Sequence, residues 1–160
     1  STHHESQYVD NFVTAVIDVS LAAQNSALAA ESLGLGICYV GALRNYTRSV
    51  IKVLHLPRLV FPLFGMTVGY PLKPARPKER LPLSAILHWE QYNPDQDEFL
   101  YQYDRLMADS GIYKGRQASY PGREEVLEPY GWMEHSARRA SRASRIDLRE
   151  ILEGQGFPLK

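Results

Sequence analysis

Residues 22–45 read AAQNSALAAESLGLGICYVGALRN: an alanine-rich run gives way at Gly34 and Gly36 to the β-prone Ile37-Cys38-Tyr39-Val40, which stops at Gly41. Upstream, back to residue 8, there is no glycine or proline, so the sequence predicts one long helix over residues 8–33, ended by glycine. Its apolar residues, among them Phe12, Val13, Val16, Ile17, Val19, Leu21, Ala27, Leu28 and Ala30, cover most of the circumference, the pattern of a helix buried on several sides. At about 1.5 Å per residue such a helix reaches nearly 40 Å, more than one small domain needs, and a subunit interface is the natural place for the surplus. Asp18, Gln24, Asn25, Ser26 and Glu31 interrupt it and make it too polar for a bilayer-spanning segment.

Downstream, residues 44–54 read as a short helix. Residues 59–70, LVFPLFGMTVGY, read as a second strand, apolar throughout and therefore covered on both faces; Gly65 and Gly69 mark bulges or close backbone approach by a ligand. Pro71, Pro74, Pro77 and Pro82 then define an extended connection that carries Lys73, Arg76, Lys78 and Arg80. Past Asn93 the character changes. Residues 97–108 form an amphipathic helix, 110–128 a loop, and 131–154 a further helix that places Arg138, Arg142, Arg145 and Arg149 on one face. The layout is one domain, with residues 1–94 as its core and residues 95–160 as a mainly helical excursion.

The chain has 160 residues and 44% hydrophobic content, enough for a real core. Lys plus Arg (18) balances Asp plus Glu (18), so no overall field draws the protein to nucleic acid or to an anionic membrane. Cys38 is the only cysteine, which excludes an internal disulfide and a thiolate metal site and fits a reducing cytoplasm. The first seven residues, with His3 and His4, lack the basic flank and apolar core of a signal peptide. His55, His88 and His135 lack metal-ligand spacing; Cys38 reads as packing, and His88 and Trp89 as packing and hydrogen-bonding groups. Without a stacking aromatic series, the arginine stripe is read as a solvated face rather than a nucleic-acid site.

Two constellations remain. The turn from Gly34 to Gly41, followed by Arg44, offers backbone N–H groups and lets a planar ligand approach unhindered by a Cβ, or it simply turns the chain. It is not a GxGxxG fingerprint. Lys78-Glu79-Arg80-Leu81-Pro82 is either an anion clamp on a proline-stiffened segment or a solvated basic loop.

Taken together, AAQNSALAAESLGLGICYVGALRN (22–45), LPRLVFPLFGMTVGYP (56–71) and KERLPLSAILHWEQY (78–92), with weaker continuations in YDRLM (103–107) and SRIDLREILEGQGF (144–157), resemble the oxygen-insensitive NADPH nitroreductase and flavin reductase group of the nitroreductase superfamily. The resemblance implies an α+β, nitroreductase-like FMN-binding sandwich with a C-terminal helical excursion. It also implies a homodimer built on long helices, with FMN bound between subunits. Relative to that family the sandwich is partial, since the family's N-terminal segment, with its His/Arg-Ser-x-Arg phosphate motif, does not precede Ser1.

Carried over by position, Tyr39, Val40, Gly41 and Ala42 lie along the isoalloxazine, and Lys78 and Arg80 bind the FMN phosphate and ribityl side. Arg44 and Arg145 receive the phosphates of NADPH, and a further family arginine falls near Lys114 or Arg116. The resemblance implies hydride transfer from NADPH or NADH through flavin to nitroaromatics, quinones or free flavin in a ping-pong cycle. Flavin carries the chemistry and no catalytic residue is required. The competing reading is a cofactor-free dimerising or structural module without activity.

Overall fold

Gly34 decides where the first helix stops. α1 spans Val9–Ser32, and Gly34 follows with φ of 76°. The Gly34 N–H bonds to the Glu31 carbonyl and the Leu35 N–H to the Ala30 carbonyl, which satisfies two of the orphan carbonyls at the helix end. These features belong to a computed structural model that describes residues 8–73, 77–120, 122 and 125–160. His3, His4, Pro74 and Arg76 lie outside the described residues.

The chain divides into two compact units, residues 1–75 with 145–160, and residues 76–144. The sequence reading places one boundary instead, at 94/95. The differences lie in residues 76–94, which fall in the second unit, and in residues 145–160, which return to the first. There the Leu59 N–H donates to the Gln155 carbonyl at 2.7 Å, the Gln155 side-chain amide donates to the carbonyls of Pro57 and Val60, and Phe157 meets Phe12 edge to face at 5.3 Å.

In the first unit, β1 (Gly36–Val40) pairs antiparallel with β2 (Gly65–Gly69), in register from Gly36 opposite Gly69 to Val40 opposite Gly65. The ladder is continuous, so the glycines mark no bulge. β2 is shorter than the expected strand over 59–70. Pro57 and Pro62 cannot donate to a ladder, and the backbone groups between them bond to Gln155. Nor is the segment covered on both faces, since Leu59, Val60 and Val68 are exposed. Cys38 is likewise exposed rather than packed. After β1 comes a 3-10 helix over Gly41–Tyr46 and then α2 (Thr47–Val53), where one helix over 44–54 is expected.

α1 departs from its expected burial. Only Ala27 and Ala30 are buried, while Val9, Val13, Ile17, Val19, Leu21 and Leu28 are exposed. The helix has its predicted length and an apolar surface, and it meets the unit through Ala27 and Ala30 and through Phe12, which packs on Phe61 and Phe157. It is also long and apolar enough to cross a bilayer by length and composition, a test that core helices of soluble proteins pass as well. The sequence reading judged it too polar for that, on account of Asp18, Gln24, Asn25, Ser26 and Glu31.

The second unit contains α3 (Leu83–Ile86), α4 (Asp97–Asp109) and α5 (Trp132–Ala140), while α6 (Leu148–Gly154) belongs to the first. α4 and α5 pack together through Tyr103 and Trp132, edge to face at 5.5 Å, over a buried Met107. Asp104 of α4 accepts the Met133 N–H at 2.6 Å and so caps the first turn of α5. Trp89 is 82% exposed and packs against nothing, whereas His88 accepts the Asn93 N–H at 3.2 Å, as expected of a hydrogen-bonding group.

The expected helix over 131–154 is broken after Ala140, and with it the arginine stripe. Arg138 is 3% exposed and paired with Glu134 at 2.7 Å; Arg142 lies beyond α5; Arg145 takes a left-handed φ of 53° that no helix accommodates; Arg149 sits on α6. The spacing shares a face only if the backbone continues through Ser141 and Ser144, and it does not.

Tyr130, 5% exposed, ties the loop before α5 in place. Its hydroxyl oxygen accepts the Ala118 N–H at 2.9 Å and shares a hydrogen bond with His135 Nδ1 at 3.2 Å, and Tyr113 stacks on that imidazole at 4.3 Å. Burial first, then the positive charges of Arg139 and Arg116, hold the His135 pKa below its ordinary value, and burial raises that of Tyr113. In the window from the ordinary imidazole value of about 6.5 downward, the unfolded chain therefore takes up protons before the folded one does, and stability falls as pH falls. Thermal melts between pH 8 and pH 5 should show a falling midpoint, with a shallower slope in His135→Gln. Equal slopes for the two proteins would remove His135 from that dependence.

Candidate functional site

The first unit builds its site where β1 ends. Val40 is the last residue paired to β2, and at Gly41 the chain bends into the 3-10 helix, turning Ala42 outward. A Cβ added at Gly41 would meet only an Arg44 Nη atom, at 3.7 Å, so the turn is open to approach. Tyr39 is held edge to face against Phe64 at 5.4 Å.

Two arginines reach this turn. Arg44, half-buried, donates from Nη1 to the Leu63 carbonyl at 2.6 Å, which ties the 3-10 helix to the segment before β2. Arg145 arrives from 100 residues further along; its Nε–H donates to Asn45 Oδ1 at 3.1 Å, and its Nη2 lies 3.5 Å from the Gly41 carbonyl. Among the described residues neither guanidinium has a carboxylate partner. Both guanidinium groups instead bond to neutral groups, the Leu63 and Gly41 carbonyls and the Asn45 amide, and so keep their full charge. Nearby, Thr47 is 2% exposed and donates to the Arg44 carbonyl at 2.9 Å, which fixes the far end of the turn.

Tyr39, Val40, Gly41, Ala42, Arg44 and Arg145 are thus brought together in one unit. Lys78 and Arg80 belong to the other. Both are exposed, and Arg80 donates only to the carbonyls of Lys78 and Glu79 in its own segment, at 3.4 and 3.2 Å. The Tyr103 hydroxyl meets the Glu79 carbonyl at 3.5 Å and steadies that segment against α4. Lys114 and Arg116, between which the sequence left one role open, lie in the loop after α4 and are exposed. Asn45 was missed. It follows Arg44 directly, but its link to Arg145 leaves no local pattern.

A helix-flanked antiparallel strand pair that ends in an open glycine turn carrying two arginines makes this an α+β chain. Residues 4–70 match the nitroreductase family, and residues 78–160 match the nitroreductase family C-terminal domain. The chain belongs to the nitroreductase family and has its α+β fold. The FMN reductase (NADPH) of Bacillus subtilis (strain 168) is 37% identical over 160 residues, covering 96% of this chain and 61% of that protein. The oxygen-insensitive NADPH nitroreductase of Salmonella typhimurium is 34% identical over 148 residues, 92% of this chain and 58% of that protein. Among solved structures, B. megaterium NfrA1 superposes with a TM-score of 0.81 at 37% identity, covering 95% of this chain and 59% of that one. The chain therefore spans about three-fifths of the length of the relatives it matches.

Proposed function

We propose that this chain is part of an FMN-dependent oxidoreductase that takes hydride from NADPH or NADH and delivers it to nitroaromatics, quinones or free flavin in ping-pong order, as a cytoplasmic homodimer. The observation that carries the reading is the pair of unneutralised arginines, Arg44 and Arg145, at the open Gly41 turn. The printed names of the relatives, an FMN reductase using NADPH and an NADPH nitroreductase, point the same way.

The residues present fit a flavin mononucleotide. At Gly41 the backbone is unobstructed, and Ala42 adds the smallest side chain, so a planar ring system can approach Tyr39, Val40, Gly41 and Ala42. Lys78 and Arg80 are cations without an ion pair among the described residues, free to take a phosphate. When bound, FMN supplies the two-electron relay between nicotinamide and acceptor. The chain's own part is placement: a backbone N–H in the Gly41 region is assigned to the flavin N5 edge, Lys78 and Arg80 to the phosphate and ribityl side, and Arg44 and Arg145 to the phosphates of the pyridine nucleotide. Fixed donors of this kind act without reorganisation during transfer. The dimer reading is supported by α1, whose apolar surface the first unit leaves uncovered.

An absorbance scan of the purified protein tests this directly. A yellow protein that bleaches with NADPH and recovers colour with a nitroaromatic or quinone is the expected result, with parallel double-reciprocal plots marking the ping-pong order. A colourless protein that takes up no added FMN would instead leave the cofactor-free module as the reading.

A further inference from the structure

We propose that Asn45 is a positioning residue for Arg145 and, through it, sets the preference for a pyridine nucleotide that carries a 2′-phosphate. This rests on the reading of Arg145 as a phosphate-binding residue.

Arg145 has a long side chain on a backbone that lies outside any helix, at a left-handed φ of 53°. Its nearest regular element is α6, entered through the Leu148 N–H to Arg145 carbonyl bond at 3.0 Å. Left alone, such a side chain populates many rotamers and presents its charge nowhere in particular. The Nε–H bond to Asn45 Oδ1 restricts that freedom, since Nε–H is rigidly part of the planar guanidinium and a bond to it leaves the Nη donors facing away from Asn45. The contact to the Gly41 carbonyl, at 3.5 Å, is at the limit of a hydrogen bond and adds little orientation.

Asn45 is itself firmly placed. It sits within the Gly41–Tyr46 3-10 helix, between Arg44, whose side chain is bonded to Leu63, and the buried Thr47, whose hydroxyl is bonded to the Arg44 carbonyl. The residue type is the telling part. An aspartate here would orient the guanidinium equally well but would neutralise it, and a neutralised arginine no longer attracts a phosphate dianion. An amide oxygen orients the cation and leaves its charge intact.

The experiment measures, in the full-length flavin-loaded protein, the Kd of 2′,5′-ADP against that of 5′-AMP, beside the KM for NADPH and NADH. Asn45→Ala should weaken 2′,5′-ADP and raise the NADPH KM by roughly tenfold, the scale of one charge-assisted hydrogen bond. Asn45→Asp, which keeps the acceptor, should do so at least as strongly, with 5′-AMP and the NADH KM moving far less. A purely structural role for Asn45 predicts that the aspartate variant behaves like the native protein, and that result overturns the proposal. Equal shifts for the two nucleotides overturn it as well, as does a loss of flavin that accounts for the whole effect. Arg145→Ala separates the two levels: if it leaves 2′,5′-ADP binding unchanged, the phosphate reading of Arg145 fails. If it weakens binding while both Asn45 variants do not, only the positioning role fails.

Discussion

Replacing Lys78 and Arg80 together by alanine is expected to strip the full-length protein of most of its flavin during purification. In the proposed reading each side chain makes a charge-assisted hydrogen bond to the FMN phosphate or ribityl side. Such bonds contribute about 1.5–3 kcal/mol each. Both side chains are exposed, so the lower end applies, and the double variant should bind FMN on the order of 100-fold more weakly. The ratio of flavin to protein absorbance after gel filtration reads the loss, and a fluorescence titration gives the Kd. Raising the salt concentration should weaken the native protein and have less effect on the variant, because the charges that salt screens are gone from it. Arg80→Lys should recover only part of the affinity, since an ammonium restores the charge without the planar fork that matches a phosphate. Native flavin content in the double variant would remove these two residues from the cofactor site. Neither residue contributes an ion pair among the described residues, so the loss has no ready explanation in a weakened fold.

What the sequence made legible divides along a physical line. α1 and β1 follow from local signals, a run without breakers and a glycine that takes a positive φ, and both appear within a residue or two of their expected limits. α4 follows from its 3.6-residue periodicity. The failures come from segments whose backbone finds its partners far away. Residues 59–64 look like a strand, but the Leu59 N–H and the Val60 carbonyl bond to Gln155 and the Leu63 carbonyl to Arg44, partners that no local pattern announces. Arg138, Arg142, Arg145 and Arg149 have helical spacing, yet helical spacing exists only where the helix does, and Arg145 has left it. For the site, the glycine turn and Arg44 could be picked out from residue types alone. For Lys78 and Arg80 the residues left an anion clamp and a solvated loop both open, the assignment of Arg145 came only with the family resemblance, and the link from Asn45 needed the fold, which closes a gap of 100 residues.

Gly131→Ala should destabilise the protein by about 1–3 kcal/mol, although its backbone gives no warning of this. Gly131 precedes α5 with φ of −102°, a conformation that any residue adopts. On backbone grounds alone an alanine there would stabilise by about 0.4–1 kcal/mol, by restricting the unfolded chain. The obstacle is Asp104: a Cβ built on Gly131 lands on its carboxylate. An aspartate can usually swing aside, but this one is engaged, because its Oδ1 accepts the Met133 N–H at 2.6 Å and supplies the cap that α5 has no side chain of its own to provide. To admit the methyl, either the cap breaks, at about 1–2 kcal/mol, or α4 and α5 separate, at about 1–3 kcal/mol of overpacking. The sign of the effect therefore tells packing from backbone preference, and urea unfolding measures it. The decisive comparison is the same substitution made in Asp104→Ala. There the cap is already lost and the space is open, so Gly131→Ala should become neutral or mildly stabilising, and the two changes should be coupled by about 1–3 kcal/mol, roughly the cost of the clash. An equal cost in both backgrounds would mean that the carboxylate is not what reserves position 131 for glycine.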